Sequence, residues 1–337
     1  MAWRQTRRRR DFITLLGSAS AWPLAARAQR GERVRRIAWL GAGRADEPSP
    51  YLDSLRAGLR ELGWIEGRNL TIERFWATGL DNMDGAALDL LASDPEVIVA
   101  QEFTVLAFRS VKTEKPVVFG FSGDPLDVKL VESWAKPGGN FTGMSYLAIE
   151  LVGKRVELLK EWLPQTQRIA VLARPQHPGE HLERHASEAV AVKLGIELSY
   201  FPYTSPGLPA RDLSELDTTF RAIVHDRCDA LVVFPDSVMY EISDHVSRLA
   251  LQAKLPSVSG WSSFANKGLL MTYGPNVRAL YRSLAGYVDR ILGGRRPADL
   301  PFQAPTSFYL AINVRTAKAL GLTVPPSLLA RADEVIE

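Results

Sequence analysis

The sequence is short of three things that would narrow its class. It has a single cysteine, Cys228, in 337 residues. No internal disulfide can form, and so low a count argues for neither an oxidising nor a reducing compartment. Beyond the first 28 residues no segment holds 18 consecutive apolar residues, so no membrane-spanning helix is expected there. A surplus of positive charge is missing as well. The formal net charge is +3, but Arg4, Arg7, Arg8, Arg9, Arg10 and Arg27 crowd the first 28 positions beside Asp11 alone. The rest holds 35 basic and 37 acidic residues, a net of −2. Such a body does not gather nucleic acid by counterion release, and no nucleic-acid partner is expected. What is plentiful is apolar material: 46% hydrophobic against 23% charged residues. That excludes disorder, collagen and coiled coil, and supplies two ordinary cores.

Signatures of catalysis are equally scarce. There is no P-loop. Gly41-x-Gly43 has Asp46 where a dinucleotide fingerprint needs a third glycine. Gly143-x-Ser145 lacks the second glycine of a nucleophile elbow. No carboxylate pair or Ser/His/Asp set stands out, so no catalytic residue is named and no enzyme is expected. His177, His181 and His185 recur at spacing four, which could align them for a metal. Pro178-Gly179 interrupts the first interval, and the surrounding Glu and Arg read as a solvated helix, so neither a metal nor a cofactor is expected. Cys228, between Arg227 and Asp229, reads as a packed small residue.

The N-terminus reads as a targeting segment. Arg7 to Arg10 form a positive region, residues 12–22 an apolar stretch, and Ala26-Arg27-Ala28 a small-x-small cleavage pattern. Residues 1–28 are therefore expected to be a signal peptide, with Gln29 the mature start. Arg9-Arg10-Asp11-Phe12-Ile13 is twin-arginine-like, with Arg8 where that motif prefers Ser or Thr. The apolar stretch is about half of the ~20 residues that span a bilayer, and no Cys follows it for a lipid anchor. A soluble, periplasmic protein is expected.

Beyond Gln29, β-branched runs alternate with amphipathic ones. Segments 34–40, 69–76, 96–100, 116–121 and 141–146 predict strands, and 51–62, 82–92, 104–112 and 125–135 predict helices between them. Leu52, Leu55, Leu59 and Leu62 share one face, and Gly63 stands where a helix C-cap is wanted. The rhythm restarts with helices at 149–163, 180–194, 212–226, 237–253 and 276–292, and strands at 168–173, 197–203, 230–234, 256–259 and 268–273. Short helical stretches at 313–320 and 326–335 end the chain. The alternation predicts an α/β protein of two doubly wound parallel-sheet lobes. One crossover is expected near 146–150, and the Pro-rich stretch 296–305 reads as a returning one.

Several segments carry a family resemblance. They are Arg10-Asp-Phe-Ile-Thr-Leu-Leu with Trp22-Pro-Leu-Ala-Ala-Arg-Ala-Gln29, Glu61-Leu-Gly-Trp-Ile-Glu-Gly-Arg-Asn69, Gly123-Asp-Pro125 and Lys136-Pro-Gly-Gly-Asn-Phe-Thr-Gly143. Tyr273-Gly-Pro275, Tyr287-Val-Asp-Arg-Ile-Leu-Gly-Gly294, Pro297-Ala-Asp-Leu-Pro301 and Ala317-Lys-Ala-Leu-Gly-Leu-Thr-Val-Pro-Pro326 continue the series. In this order they resemble the substrate-binding proteins of ABC transporters whose best-known members bind tryptophan and related aromatic amino acids. The resemblance implies a type I periplasmic-binding-protein fold: two lobes, three crossover segments and a ligand between the lobes. It places lobe one at 34–147 plus 269–300 and lobe two at 148–268 plus 301–337.

In open α/β sheets ligands sit beyond the carboxyl ends of strands. The loops there hold Tyr51, Gln101, Thr104, Ser122, Asp124 and Tyr146 in lobe one, Arg174, Asp236 and Trp261 in lobe two, and Tyr273 on the strand expected to return to lobe one. An amino acid needs donors for its carboxylate, an acceptor for its ammonium group and an aromatic wall. Thr104 and Ser122 fit the first, Asp236 the second, and Tyr51, Trp261 and Tyr273 the third. Asp124 before Pro125 reads equally as a helix N-cap. Arg174-Pro-Gln-His177 stands where the family often has an Asn-Pro-Asp-type loop, and its arginine would favour a more acidic ligand. The resemblance implies a monomeric solute receptor that binds an aromatic amino acid or related small acid and delivers it to an inner-membrane ABC permease with a cytoplasmic ATPase. The alternatives are an exported α/β hydrolase, a ligand-sensing component without transport, and a two-lobed regulator, which would need a helix-turn-helix ahead of lobe one.

Overall fold

The computed structural model describes residues 33–46, 48–204 and 213–337; the expected signal peptide lies outside them. Two sheets organise the chain. The first has the order β2-β1-β3-β4-β5, built from β1 (Arg35–Ala42), β2 (Leu70–Ala77), β3 (Val97–Gln101), β4 (Val117–Phe121) and β5 (Phe141–Ser145). All its pairings are parallel. Its inner strands β3 and β4 are buried at every position, as strands covered on both faces must be.

The second sheet has the order β12-β11-β10-β9-β8-β6-β7. Its strands are β6 (Arg168–Ala173), β7 (Glu197–Pro202), β8 (Ala230–Val233), β9 (Ser257–Ser259), β10 (Met271–Pro275), β11 (Phe308–Asn313) and β12 (Glu334–Ile336). This sheet departs from the expected all-parallel arrangement at one place, because β11 runs antiparallel to β10.

Helices cover both sheets. Pro50–Glu61 starts at Ser49, whose side chain accepts from the Leu52 amide, and buries Leu52, Leu55 and Leu59. It packs closely on Val277–Leu292, which Asn276 caps through the Ala279 amide. A Cβ on Gly58 would stand 2.2 Å from the Arg282 carbonyl oxygen, so glycine sets how near these helices come. Ala148–Trp162 and Glu180–Leu194 pack together on the second sheet.

The chain passes between lobes three times: at Tyr146 and Leu147 after β5, at Asn276 after β10, and after Gln303. The Gln303 backbone still bonds to Gly143 and Ser145 before the chain leaves lobe one for β11. The second crossing corrects the expected boundary at Leu269. Met271–Pro275 hydrogen-bonds to β9 and β11 and is part of the second sheet, so the return to lobe one begins at Asn276.

Three expected elements also differ, and two observed ones have no counterpart in the sequence reading. Residues 125–135 form turns rather than a helix. Lys129 takes a left-handed φ of 53° after one turn, and Leu130 and Val131 are drawn into the core. The expected helix 237–253 is two, Ser237–Glu241 and Ser243–Gln252, broken at Ile242. Within 326–335 only Pro326–Leu329 is helical, and the chain then forms β12 beside β11. A short helix, Ser262–Asn266, and strand β11 were not expected at all. Among the described residues no helix is long and apolar enough to cross a membrane.

Candidate functional site

The carboxyl ends of both sheets meet between the lobes, where aromatic side chains of each side come together. From lobe one, Tyr51 lies in the first turn of Pro50–Glu61 and Tyr281 in Val277–Leu292, with ring centroids 5.1 Å apart. Tyr146, on the first crossing, donates its hydroxyl to that of Tyr281 at 3.0 Å. From lobe two, the Trp261 ring stands 6.1 Å edge-on to Tyr146 and 6.4 Å from Tyr240. Trp39 completes the set, 5.6 Å from Tyr281. Burial pushes the phenols of Tyr146, Tyr281 and Tyr51 well above their ordinary range, so all stay neutral. A groove beside the rings opens between the lobes, lined by Pro50, Tyr51, Tyr240, Trp261, Asn276 and Arg278.

Next to the rings lies a buried polar layer. Glu102 follows β3 and is 2% exposed; its Oε2 accepts from Ser122 Oγ at 2.9 Å, and its Oε1 has no hydrogen-bond partner. Burial raises this carboxyl to about 7, against the opposing pull of His177 and the Ser122 bond. Across the interface His177 Nε2 stands 3.4 Å from Ser122 Oγ and 3.4 Å from Glu183 Oε1. Burial alone would lower this imidazole, but Glu183, Asp236 and Glu102 together raise it. Arg174 and Asp236 form a buried ion pair at 3.0 Å. Arg155 is 1% exposed, donates from Nε to the Tyr273 carbonyl and leaves Nη1 unpartnered; burial lowers its guanidinium to about 10.

The lobes touch directly here. A Cβ on Gly123 would meet the Pro178 carbonyl oxygen at 2.6 Å, and one on Gly179 would meet Gly123 Cα at 3.1 Å. Rings and buried charges from the two lobes thus face each other across a cleft bridged by three crossings of the chain.

Residues 49–336 match the family described as ABC transporter substrate binding protein. The chain belongs to this family. It is 24% identical over 280 residues to a tyrosine-binding protein of Clostridioides difficile, covering 81% of this chain and 78% of that one. A solved conserved domain protein from Vibrio cholerae O1 biovar El Tor superposes with a TM-score of 0.81 at 27% identity, covering 90% of this chain and all of that one. An ABC domain from Streptococcus pneumoniae, solved in complex with L-Trp, gives 0.80 at 22% identity with the same coverage. The fold is thus the two-lobed α/β fold of periplasmic binding proteins.

In this substrate-binding protein the residues singled out from sequence fall into three groups. Tyr51, Ser122, Tyr146 and Trp261 converge on the cleft, with Gln101 at the end of β3, 6% exposed and its Oε1 unpartnered. Arg174 and Asp236 are there too but engaged with each other, and Asp236 Oδ1 also caps Ser237–Glu241 through the Met239 amide at 2.6 Å. The remaining three serve the fold. Thr104 Oγ1 donates to the Leu40 and Gln101 carbonyls, Asp124 caps a turn through the Leu126 amide, and Tyr273 packs on Phe308 in the second sheet. Of the three spaced histidines, His177 precedes the helix and is buried, whereas His181 and His185 are exposed. Sequence reasoning passed over Glu102, Arg155, Tyr240 and Tyr281. Glu102 lay between two residues that were named, and only its buried, left-handed backbone distinguishes it.

Proposed function

We propose that the protein is a periplasmic solute receptor of an ABC importer. It closes its lobes on an aromatic amino acid or related small acid and delivers it to an inner-membrane permease with a cytoplasmic ATPase. The observation that carries this reading is the ring cluster: Tyr51, Tyr146 and Tyr281 from one side face Trp261 and Tyr240 from the other. Aromatic ligands gain most from such walls, and the buried polar layer beside it suits a charged head group. Ligands of the relatives, tyrosine by name in one and L-Trp in a solved complex, support the same class. The mechanism needs only differential affinity. Contacts made by both lobes exist only when the lobes are closed, so ligand shifts the population toward the form a permease would recognise. The reading includes no chemical step.

The test is thermal melting of residues 29–337, refolded to remove carried-over ligand, against amino acids and aromatic acids. A true ligand at 100 times its Kd adds about 2.7 kcal/mol, and Trp261→Ala should remove the shift. No shift with any aromatic compound would overturn the reading.

A further inference from the structure

We propose that Glu102 is the acceptor for the ligand's protonated amino group, so that the receptor selects zwitterionic amino acids over aromatic acids that lack the amine. The proposal rests on the cleft reading above and narrows its ligand class.

Three observations converge on this side chain. First, it is an acid at the heart of the interface with an orphan oxygen: Glu102 is 2% exposed, Oε2 is held by Ser122, and Oε1 has no hydrogen-bond partner. Buried carboxylates without partners are costly. Second, its backbone is strained. Glu102 has φ 55°, a left-handed conformation that is unfavourable for a residue with a Cβ. Asp94, Lys112, Arg227 and Lys254 share that conformation just past helix ends, where it closes the helix. Glu102 instead follows a strand and opens a short 3-10 turn, Glu102–Thr104, at the cleft. Third, the two nearby acids each already have a cationic neighbour in lobe two. Asp236 is paired with Arg174 at 3.0 Å, and Glu183, whose oxygens accept no hydrogen bond, stands 3.4 Å from His177 Nε2.

The groups that face Glu102 are Ser122 from its own lobe, His177 and Asp236 from lobe two, and the phenols of Tyr51, Tyr146 and Tyr281. No lysine is among them. Of these groups only His177 can carry a positive charge, and its pull is outweighed by burial, which holds the Glu102 carboxyl up at about 7, so below that pH the empty site keeps a proton there. An incoming ammonium group takes over the charge-balancing role: the Glu102 proton leaves to solvent, and the carboxylate accepts a charge-assisted bond from the ligand. The corresponding acid without an amine brings only a negative charge and has nothing to offer Oε1.

Isothermal titration calorimetry on residues 29–337 tests this with L-Tyr, L-Phe and L-Trp and their deaminated partners 3-(4-hydroxyphenyl)propionate, 3-phenylpropionate and indole-3-propionate. Titrations run at pH 6 and 8, in buffers of different ionisation heat. The parent should bind its amino acid at least about 10-fold tighter than the deaminated partner, releasing a proton at pH 6 and almost none at pH 8. Glu102→Gln should lose at least about 10-fold for the amino acid, hold or gain for the acid, and release no proton. Equal binding of acid and amino acid by the parent would overturn the proposal, as would an unchanged preference in Glu102→Gln. If that variant does not fold, the parent's preference and proton count decide. Binding of neither class would instead overturn the cleft reading, and this inference with it.

Discussion

Asp236 illustrates how one residue can serve structure and site together. One carboxylate oxygen holds Arg174 and the other caps a helix, both in the interior. Removing one partner of a buried pair strands the other, at a cost of about 3–5 kcal/mol. Asp236→Ala is expected to lower the melting temperature of the empty protein sharply, and Trp261→Ala, which empties the volume of a buried indole, should cost a similar amount, about 3–5 kcal/mol. Glu102 gives a pH signature. Its carboxyl titrates near 7 when folded and near the ordinary 4.5 when unfolded. Its contribution to stability is therefore fully present below about 4.5 and lost as pH rises through 7, amounting to at most about 3 kcal/mol. His177, also raised, acts in the same direction: its contribution is present below 6.5 and fades above its folded value. Melting curves of the empty parent and Glu102→Gln should then differ more at pH 8 than at pH 5, with the variant the more stable at pH 8. The site was only partly legible at this scale. Loop position and chemistry pointed to Ser122, Tyr146 and Trp261, but Thr104 and Asp124 have local partners that only the folded backbone supplies.

At the level of elements, periodicity was a good guide wherever burial follows one face. The leucines of Pro50–Glu61 and the unbroken apolar runs of β3 and β4 are such cases. It failed where tertiary contacts replace local ones. Residues 125–135 have a helical pattern, but only one turn forms, Val128 bonding back to Asp124 and Lys129 to Leu126. The Leu130 and Val131 amides then both reach to the Pro125 carbonyl, the Glu132 amide goes to Pro137, and the Arg109 side chain donates to the Val128 carbonyl. β11 was hidden because its apolar residues run directly into the next helix, and β12 is a three-residue strand held by its pairing to β11. Packing between elements makes its own prediction at Gly58. An alanine there would press its Cβ against the Arg282 backbone, a fixed neighbour. Gly58→Ala is expected to destabilise lobe one by about 1–3 kcal/mol in denaturant unfolding, despite alanine's better helix propensity.

For the molecule as a whole, the two lobes close on a glycine contact. Gly123 in one loop and Pro178-Gly179 in the other leave no room for a side chain between them. Gly123→Ala should hold the lobes apart, weakening ligand binding by about 10-fold or more, roughly 1.4 kcal/mol. Small-angle scattering should show the saturated variant retaining a larger radius of gyration than the saturated parent. The two-lobed architecture itself was legible, because two series of strand-helix alternation cannot share one sheet of that length. The position of the second crossing was not, since β10 has the same composition whichever sheet it joins.

The placement of Val277–Leu292 has a consequence for the nascent chain. The first sheet has all five strands once residue 145 has been made, yet the helix that covers one of its faces is some 130 residues further on, after most of the second sheet. At about 5–20 residues per second, that face waits roughly 7–26 seconds for its cover. During that interval Trp39, Leu55 and Val118 lack their final neighbours, and a ribosome-held half-protein presents a sticky, sheet-sided surface. Lobe one is thus first to begin and among the last to finish. Chaperone capture during synthesis should peak between these two points, and a fragment cut after residue 145 should aggregate rather than behave as an independent domain.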